Sequence, residues 1–164
     1  MILRCTTRVL DFIGVRAQAL DDVPASDEDW YANLFWVQRR KCLLLMHTGT
    51  LFPALIVDVR RGDLRDLGSW VTSQIEDALA AERLGPGTLG PLEPASLQLA
   101  RTASRSMLGF MNQAAQECQY VIAMRGGLEH ADIDALNNEQ RRTLRNRNGY
   151  HQPIELVLQR MLDA

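Results

Sequence analysis

Cysteine is scarce in this chain and badly placed for cross-linking. Cys5, Cys42 and Cys118 are an odd number at wide spacing, which argues against a disulfide framework and for reduced, packed thiols. Histidine is equally sparse. His47, His130 and His151 stand alone, with no second histidine or cysteine at a metal-ligating interval, so neither a metal site nor a cofactor is expected. No phosphate-loop pattern occurs, and Gly126-Gly127 follows a helical stretch instead of opening one, the wrong context for anion capture. There is no nucleophile elbow and no local cysteine signature of a hydrolase. No apolar run approaches the ~18 residues of a membrane span, and the N-terminus lacks a charged segment followed by a long apolar one. The expectation is a soluble, cytoplasmic protein with no membrane partner. An excess of one charge is missing too: 18 Lys and Arg face 20 Asp and Glu, a net charge of −2, which leaves no global basic footprint for nucleic acid.

What is present is an ordinary globular composition, 46% hydrophobic and 23% charged over 164 residues. That length suits one domain, residues 1–164, with a sizeable core. The chain is organised around residues 30–59, which read as three strands joined by tight turns at Gln38-Arg39 and Thr48-Gly49-Thr50, where the glycine is expected at positive φ. Alternation places Trp30, Ala32, Leu34 and Trp36 on one side of the first strand and Tyr31, Asn33, Phe35 and Val37 on the other. The second strand divides into Cys42, Leu44, Met46 and Lys41, Leu43, Leu45, His47. Strands apolar on both sides belong in a sheet covered on both faces. Asn33 is expected at the sheet end or buried with its amide satisfied. Pro53 cannot donate to a ladder and points to an edge position for the third strand or a bulge near its start.

Around these strands, Ile2–Cys5 reads as a further strand, and Thr6 or Thr7 as the cap of a short helix that stops at Gly14. The acidic run 21–29 reads as a solvated loop. Asp63 is expected to cap a helix with an apolar stripe from Leu64 to Leu79, ended by Gly85-Pro86. Residues 85–95, rich in Gly and Pro, form a long surface loop. Leu97–Arg101 alternates weakly as a strand. Ser104 or Ser106 opens the longest helix, Asp132 a shorter one, and Pro153 with Glu155 a final amphipathic helix. The fold class expected is α+β, a mainly antiparallel sheet of about four or five strands covered by about four helices.

Four segments carry a family likeness: Ile2-Leu3-Arg4-Cys5-Thr6; Trp30-Tyr31-Ala32-Asn33-Leu34 running into Arg39-Arg40-Lys41-Cys42; Arg105-Ser106-Met107-Leu108-Gly109-Phe110-Met111-Asn112; and Gly149-Tyr150-His151-Gln152-Pro153-Ile154-Glu155. In this order they resemble an uncharacterised bacterial domain-of-unknown-function family across nearly the whole chain. The resemblance implies a shared fold, a cytoplasmic setting, an association with mobile elements and no reaction. Its motifs single out Asn33, Arg39, Arg40, Lys41, Arg105, Asn112 and Tyr150 as candidate site residues. The family pattern has a short Gly-Leu stretch where this chain has the longer 85–95 loop.

Three functions are open. The leading one is a non-catalytic cytoplasmic interaction or regulatory module, antitoxin-like and linked to mobile elements, with another protein as partner. The first alternative is a nucleic-acid binder using Arg141, Arg142, Arg145 and Arg147, whose spacing on a helix would gather guanidinium forks suited to phosphate. The second is an enzyme using Cys42 or Cys118 with a histidine within ~4 Å. His47, where a strand meets a turn, is expected at the surface.

Overall fold

The computed structural model describes all residues, Met1–Ala164. Its centre is a five-stranded sheet built from β1 (Ile2–Cys5), β2 (Trp30–Val37), β3 (Arg40–His47), β4 (Pro53–Ile56) and β5 (Gln98–Arg101), in the order β4-β3-β2-β1-β5. The long pairings are antiparallel, Trp30 opposite His47 through Val37 opposite Arg40, then Leu43 opposite Ile56 through Met46 opposite Pro53. β1 lies parallel to both β2 and β5. The fold is α+β, as expected, with β1 inserted between distant segments.

Because β2 and β3 are apolar on both sides, polarity does not set their register. The turn does. Gln38 and Arg39 both take positive φ, 48° and 65°, the pairing that a tight hairpin turn with the native strand twist requires. Gln38 is held there, its Oε1 accepting from the N–H of Leu128 at 3.0 Å. At the second turn the expectation fails: the positive φ falls on Leu51, at 58°. Gly49 is needed for space, since a Cβ there would lie 2.8 Å from the Asp27 carbonyl oxygen.

One face of the sheet gathers Leu3, Trp30, Ala32, Leu34, Leu43 and Leu45 beneath α1 (Thr7–Ile13), α2 (Leu67–Ala81) and α5 (Pro153–Asp163). The other gathers Tyr31, Phe35, Cys42, Leu44 and Met46 beneath α3 (Arg105–Met124) and α4 (Ile133–Arg142). Each large apolar side chain so buried stabilises by about 1.5–3 kcal/mol. Within each strand the division is the one alternation assigns, and the pairing register joins the halves into two faces.

Ser104, Asp132 and the Gln152/Glu155 box cap α3, α4 and α5. For α2 the cap is Asp66, whose Oδ1 accepts from the Ser69 N–H at 3.1 Å; Asp63 instead closes a 3₁₀ turn, Arg61–Leu64, that buries Leu64. The helix then ends before Gly85. Arg83 takes positive φ, 59°, and the Leu84 N–H returns to the Leu79 carbonyl, leaving Glu82 free to reach α4. The alternation of the last turns also hides a small hairpin, β6 (Arg145–Asn146) with β7 (Tyr150–His151).

The loop 21–29 is not simply solvated. Asp29 is buried with Arg4, Nε donating to Oδ2 at 2.6 Å, while Asp27 pairs with Arg147 and Glu28 with Arg160. With Asp22 also 3.6 Å from Arg101, the loop is pinned to the body of the protein by salt bridges to four arginines from separate parts of the chain.

Candidate functional site

β4 is an outer strand, and its free edge is where helices from two halves of the chain meet. Gln74, Asp77, Ala78 and Ala81 recur at three and four along α2 and share one side of it; Asp134, Asn137 and Arg141 do the same on α4. Together with Ala54, Leu55 and Ile56 of β4 they line a cleft of about 240 Å³.

The outward backbone groups of β4 are occupied by α4 side chains. Asn137 behaves as a fragment of a sixth strand: its Oδ1 accepts from the Leu55 N–H at 2.8 Å and its Nδ2 donates to the Leu55 carbonyl at 2.9 Å. An edge strand answered in this way is closed to strand addition. Replacing Asn137 with alanine is expected to cost about 1–3 kcal/mol, because both Leu55 groups lose their partner inside the protein; equilibrium urea unfolding measures it, and a loss below 0.5 kcal/mol, roughly the scatter of neutral surface changes, would show that the amide is dispensable.

Arg141 is 3% exposed. Its Nε donates to the Pro53 carbonyl at 3.2 Å, its Nη1 to Glu82 Oε1 at 3.1 Å, and the guanidinium lies 4.8 Å from the centre of the Phe52 ring. Nη2 makes no hydrogen bond to the protein. Burial pulls this guanidinium below its ordinary value, opposed by the Glu82 bond. Glu82 also takes Arg142, Nη2 to Oε2 at 2.7 Å, and the Asn138 amide. Burial pushes the Glu82 carboxyl up, but hydrogen bonds from Arg142 and Arg141 outweigh it and hold the group below its usual range.

The four arginines proposed for phosphate therefore do not form one face. The helix stops at Arg142, and Arg145 is a buried strand residue clamped on Glu117 through two bonds, 2.9 and 2.6 Å, and on Gln140 at 2.7 Å. Arg147 donates to Asp27 at 2.8 Å and to the Thr48 carbonyl. Each guanidinium is matched to a carboxylate far away in sequence, which periodicity does not reveal.

The motif residues scatter as well. Asn33 is buried with its Oδ1 accepting from Thr6 Oγ1 at 3.2 Å. Arg39 is exposed in the turn, Arg40 pairs with Asp58 at 3.1 Å, and Lys41 Nζ sits 5.1 Å from the Phe12 ring centre. Arg105 and Asn112 lie exposed on α3, and Tyr150 is exposed on β7. None of these lines the cleft.

His47 corrects the surface expectation. It is fully buried, Nδ1 3.0 Å from Thr50 Oγ1 and its ring centre 5.2 Å from that of Trp30. Burial lowers its pKa to about 3, so the ring is neutral. Its Nε2, with Trp30 Nε1 and Thr48 Oγ1, makes no hydrogen bond to the protein. The turn folds back beneath Asp27, against Gly49; nothing in the local pattern signals that cover. The thiols are buried too. Burial raises Cys5 and Cys118 to about 12 and also raises Cys42, so all three are protonated at neutral pH. The Sγ atoms of Cys5 and Cys42 bond only to backbone carbonyls, of Leu3 and Arg40.

No helix of the protein is long and apolar enough to cross a membrane. No curated protein matches the chain. A family model described as a domain of unknown function, DUF6933, matches residues 2–156, and the chain belongs to that family.

Proposed function

We propose that this protein is a non-catalytic regulatory module that takes a small polar ligand into the cleft between α2 and α4. Arg141 carries the reading. It is anchored on Pro53 and Glu82 at two of its nitrogens while Nη2 is unpartnered, in a cleft with polar side chains on both walls. An arginine held so rigidly presents its remaining N–H groups without further loss of rotamer freedom. The cleft lies below the ~300–1,000 Å³ of sites for drug-sized molecules, so its occupant is small. Reactive groups lie elsewhere: the thiols are buried and protonated, and His47 is neutral on the opposite side of the sheet from α4.

The test is a fragment screen by NMR on labelled protein, with Ala81→Trp as the blocked variant. Ala81 is exposed at the end of α2, so the indole fills the cleft with little effect on folding. Binders are expected to shift the amides of Gln74, Ala78 and Asn137 and to lose at least tenfold in affinity in the variant. Shifts that ignore Ala81→Trp would overturn the assignment.

Recognition of nucleic acid draws support only from Arg142 and Arg147, whose side chains keep 42% and 27% exposure. Alanine at both positions flattening the salt dependence of retention on DNA or RNA would favour that reading.

A further inference from the structure

Resting on the cleft as a binding site, we infer that its occupant is a free α-amino acid with a short side chain, its carboxylate on Arg141 and its ammonium on Asp134 and Asp77. The argument starts from the charges that remain open. Glu82 is saturated by Arg141, Arg142 and Asn138, and the Asn137 amide is committed to Leu55. What the cleft can still offer is the Arg141 Nη2 as donor and the carboxylates of Asp134 and Asp77, both exposed.

These groups are of opposite sign, Arg141 and Asp134 on the α4 wall and Asp77 on the facing α2 wall, and that excludes the simpler ligands. A plain anion satisfying Arg141 would stand beside two uncompensated carboxylates, and a plain cation satisfying them would stand beside a buried guanidinium. A molecule carrying both charges a short way apart answers both. Asp134 and Arg141 are two helical turns apart, about 10 Å along α4, and the long Arg141 side chain leans back toward the N-terminus of its helix, shortening that gap. With a charge-assisted hydrogen bond of about 2.8 Å at each end, the gap so shortened leaves room for charges on the order of 3 Å apart, as in an α-amino acid. The rest of the lining fixes the size of the side chain. Ala54, Ala78 and Ala81 present methyl groups, with the Gln74 amide beside them.

The experiment is isothermal titration of the full chain with L-alanine, L-serine and L-valine, against propionate, which lacks the ammonium, and propylamine, which lacks the carboxylate. At least one amino acid is expected to bind at least tenfold more tightly than either control. Asp77→Asn with Asp134→Asn, both at exposed positions, should weaken it at least tenfold while leaving the thermal midpoint in place. Arg141→Lys, which keeps the charge and loses the fork, should also weaken binding at least tenfold, read at a temperature where the variant is folded, because Arg141 also anchors Pro53 and Glu82. Equal binding of propionate or propylamine, or full affinity in the double asparagine variant, overturns the assignment. If no amino acid binds while fragments still lose affinity in Ala81→Trp, the zwitterion inference fails and the binding module survives. If fragment shifts ignore that variant, both fail.

Discussion

Replacing Arg4 with methionine is expected to lower the unfolding free energy by about 3–5 kcal/mol, the usual cost of breaking a buried ion pair by removing one partner. Arg4 is a charged residue in the middle strand of one half of the sheet, fully enclosed. Its side chain ties separate pieces together: Nε donates to Asp29 Oδ2 at 2.6 Å, Nη1 to the Arg101 carbonyl at 2.9 Å, and Nη2 to the carbonyls of Val23 and Pro24 at 2.9 and 2.7 Å. The end of β5 and both ends of the loop before β2 thus meet on one guanidinium. Methionine fills the volume but leaves Asp29 charged and enclosed, with only the Ser26 N–H at 3.0 Å still bonded to its carboxylate. Most of the loss should then come from the abandoned charge. Adding Asp29→Leu to Arg4→Met is expected to recover part of it, and urea unfolding of both variants measures the difference. Wild-type stability within 1 kcal/mol for Arg4→Met, below the range expected for a broken buried pair, would show that the bridge does not hold the sheet.

Acidification should destabilise the protein well before its carboxylates titrate. The ordinary value for a histidine is 6.5, and burial lowers His47 to about 3, reinforced by Arg160 and Arg147 and opposed by Asp27. The sign follows from which state takes up the proton. Above pH 6.5 the ring is neutral in both states and contributes no pH dependence. Below it the unfolded chain is protonated while the folded chain stays neutral, so stability falls by about 1.4 kcal/mol per pH unit until the folded value is reached. Between pH 6.5 and 4.5 the loss is about 3 kcal/mol. Glu82, held below its ordinary value of 4.5, stabilises the fold above that value, and its contribution disappears only as the pH falls further. The window from 6.5 to 4.5 therefore reports on histidine. Unfolding curves at half-unit intervals should show the slope, and His47→Gln should flatten it. A slope unchanged in that variant would place the titration elsewhere.

How much of this could be read in advance depends on how far apart the partners lie. Alternation separated Trp30 from Tyr31 and Leu43 from Leu44, because a strand's two sides are set by the local backbone, whereas the pairing of Trp30 with His47 decided that Leu43 shares the face of Trp30. Asp132 and Pro153 were legible as helix starts for the same reason, and Ser104 as one of two, with Ser106. Asp66 was displaced by Asp63 in that reading because two acids three residues apart satisfy the same rule, and only the burial of Leu64 in its own turn separates them. The candidate site was legible in pieces. Arg141 stood out by charge, but Asn137, Asp134, Gln74 and Asp77 carried no signal of their own. Their i, i+3, i+4 and i+7 spacing would have grouped them by helix face, yet not brought the two faces together. Arg4 offered a cue: a charge inside the apolar segment Ile2–Cys5 must have a partner if the strand is central.

Composition and alternation alone determined an α+β protein with a sheet clad on both sides, an edge or a bulge at Pro53 and the starts of most helices. These follow from short-range sterics and from the cost of leaving apolar side chains in water, both written into neighbouring residues. Only the tertiary structure decided that β1 runs parallel between β2 and β5, that His47 is enclosed, and that the arginines of residues 141–147 are matched to Glu82, Glu117 and Asp27 instead of forming one basic face. Sequence polarity states what a buried charge would cost, whereas the partner that offsets the cost arrives from 28 to 120 residues away, and its arrival is settled only when the whole chain has packed.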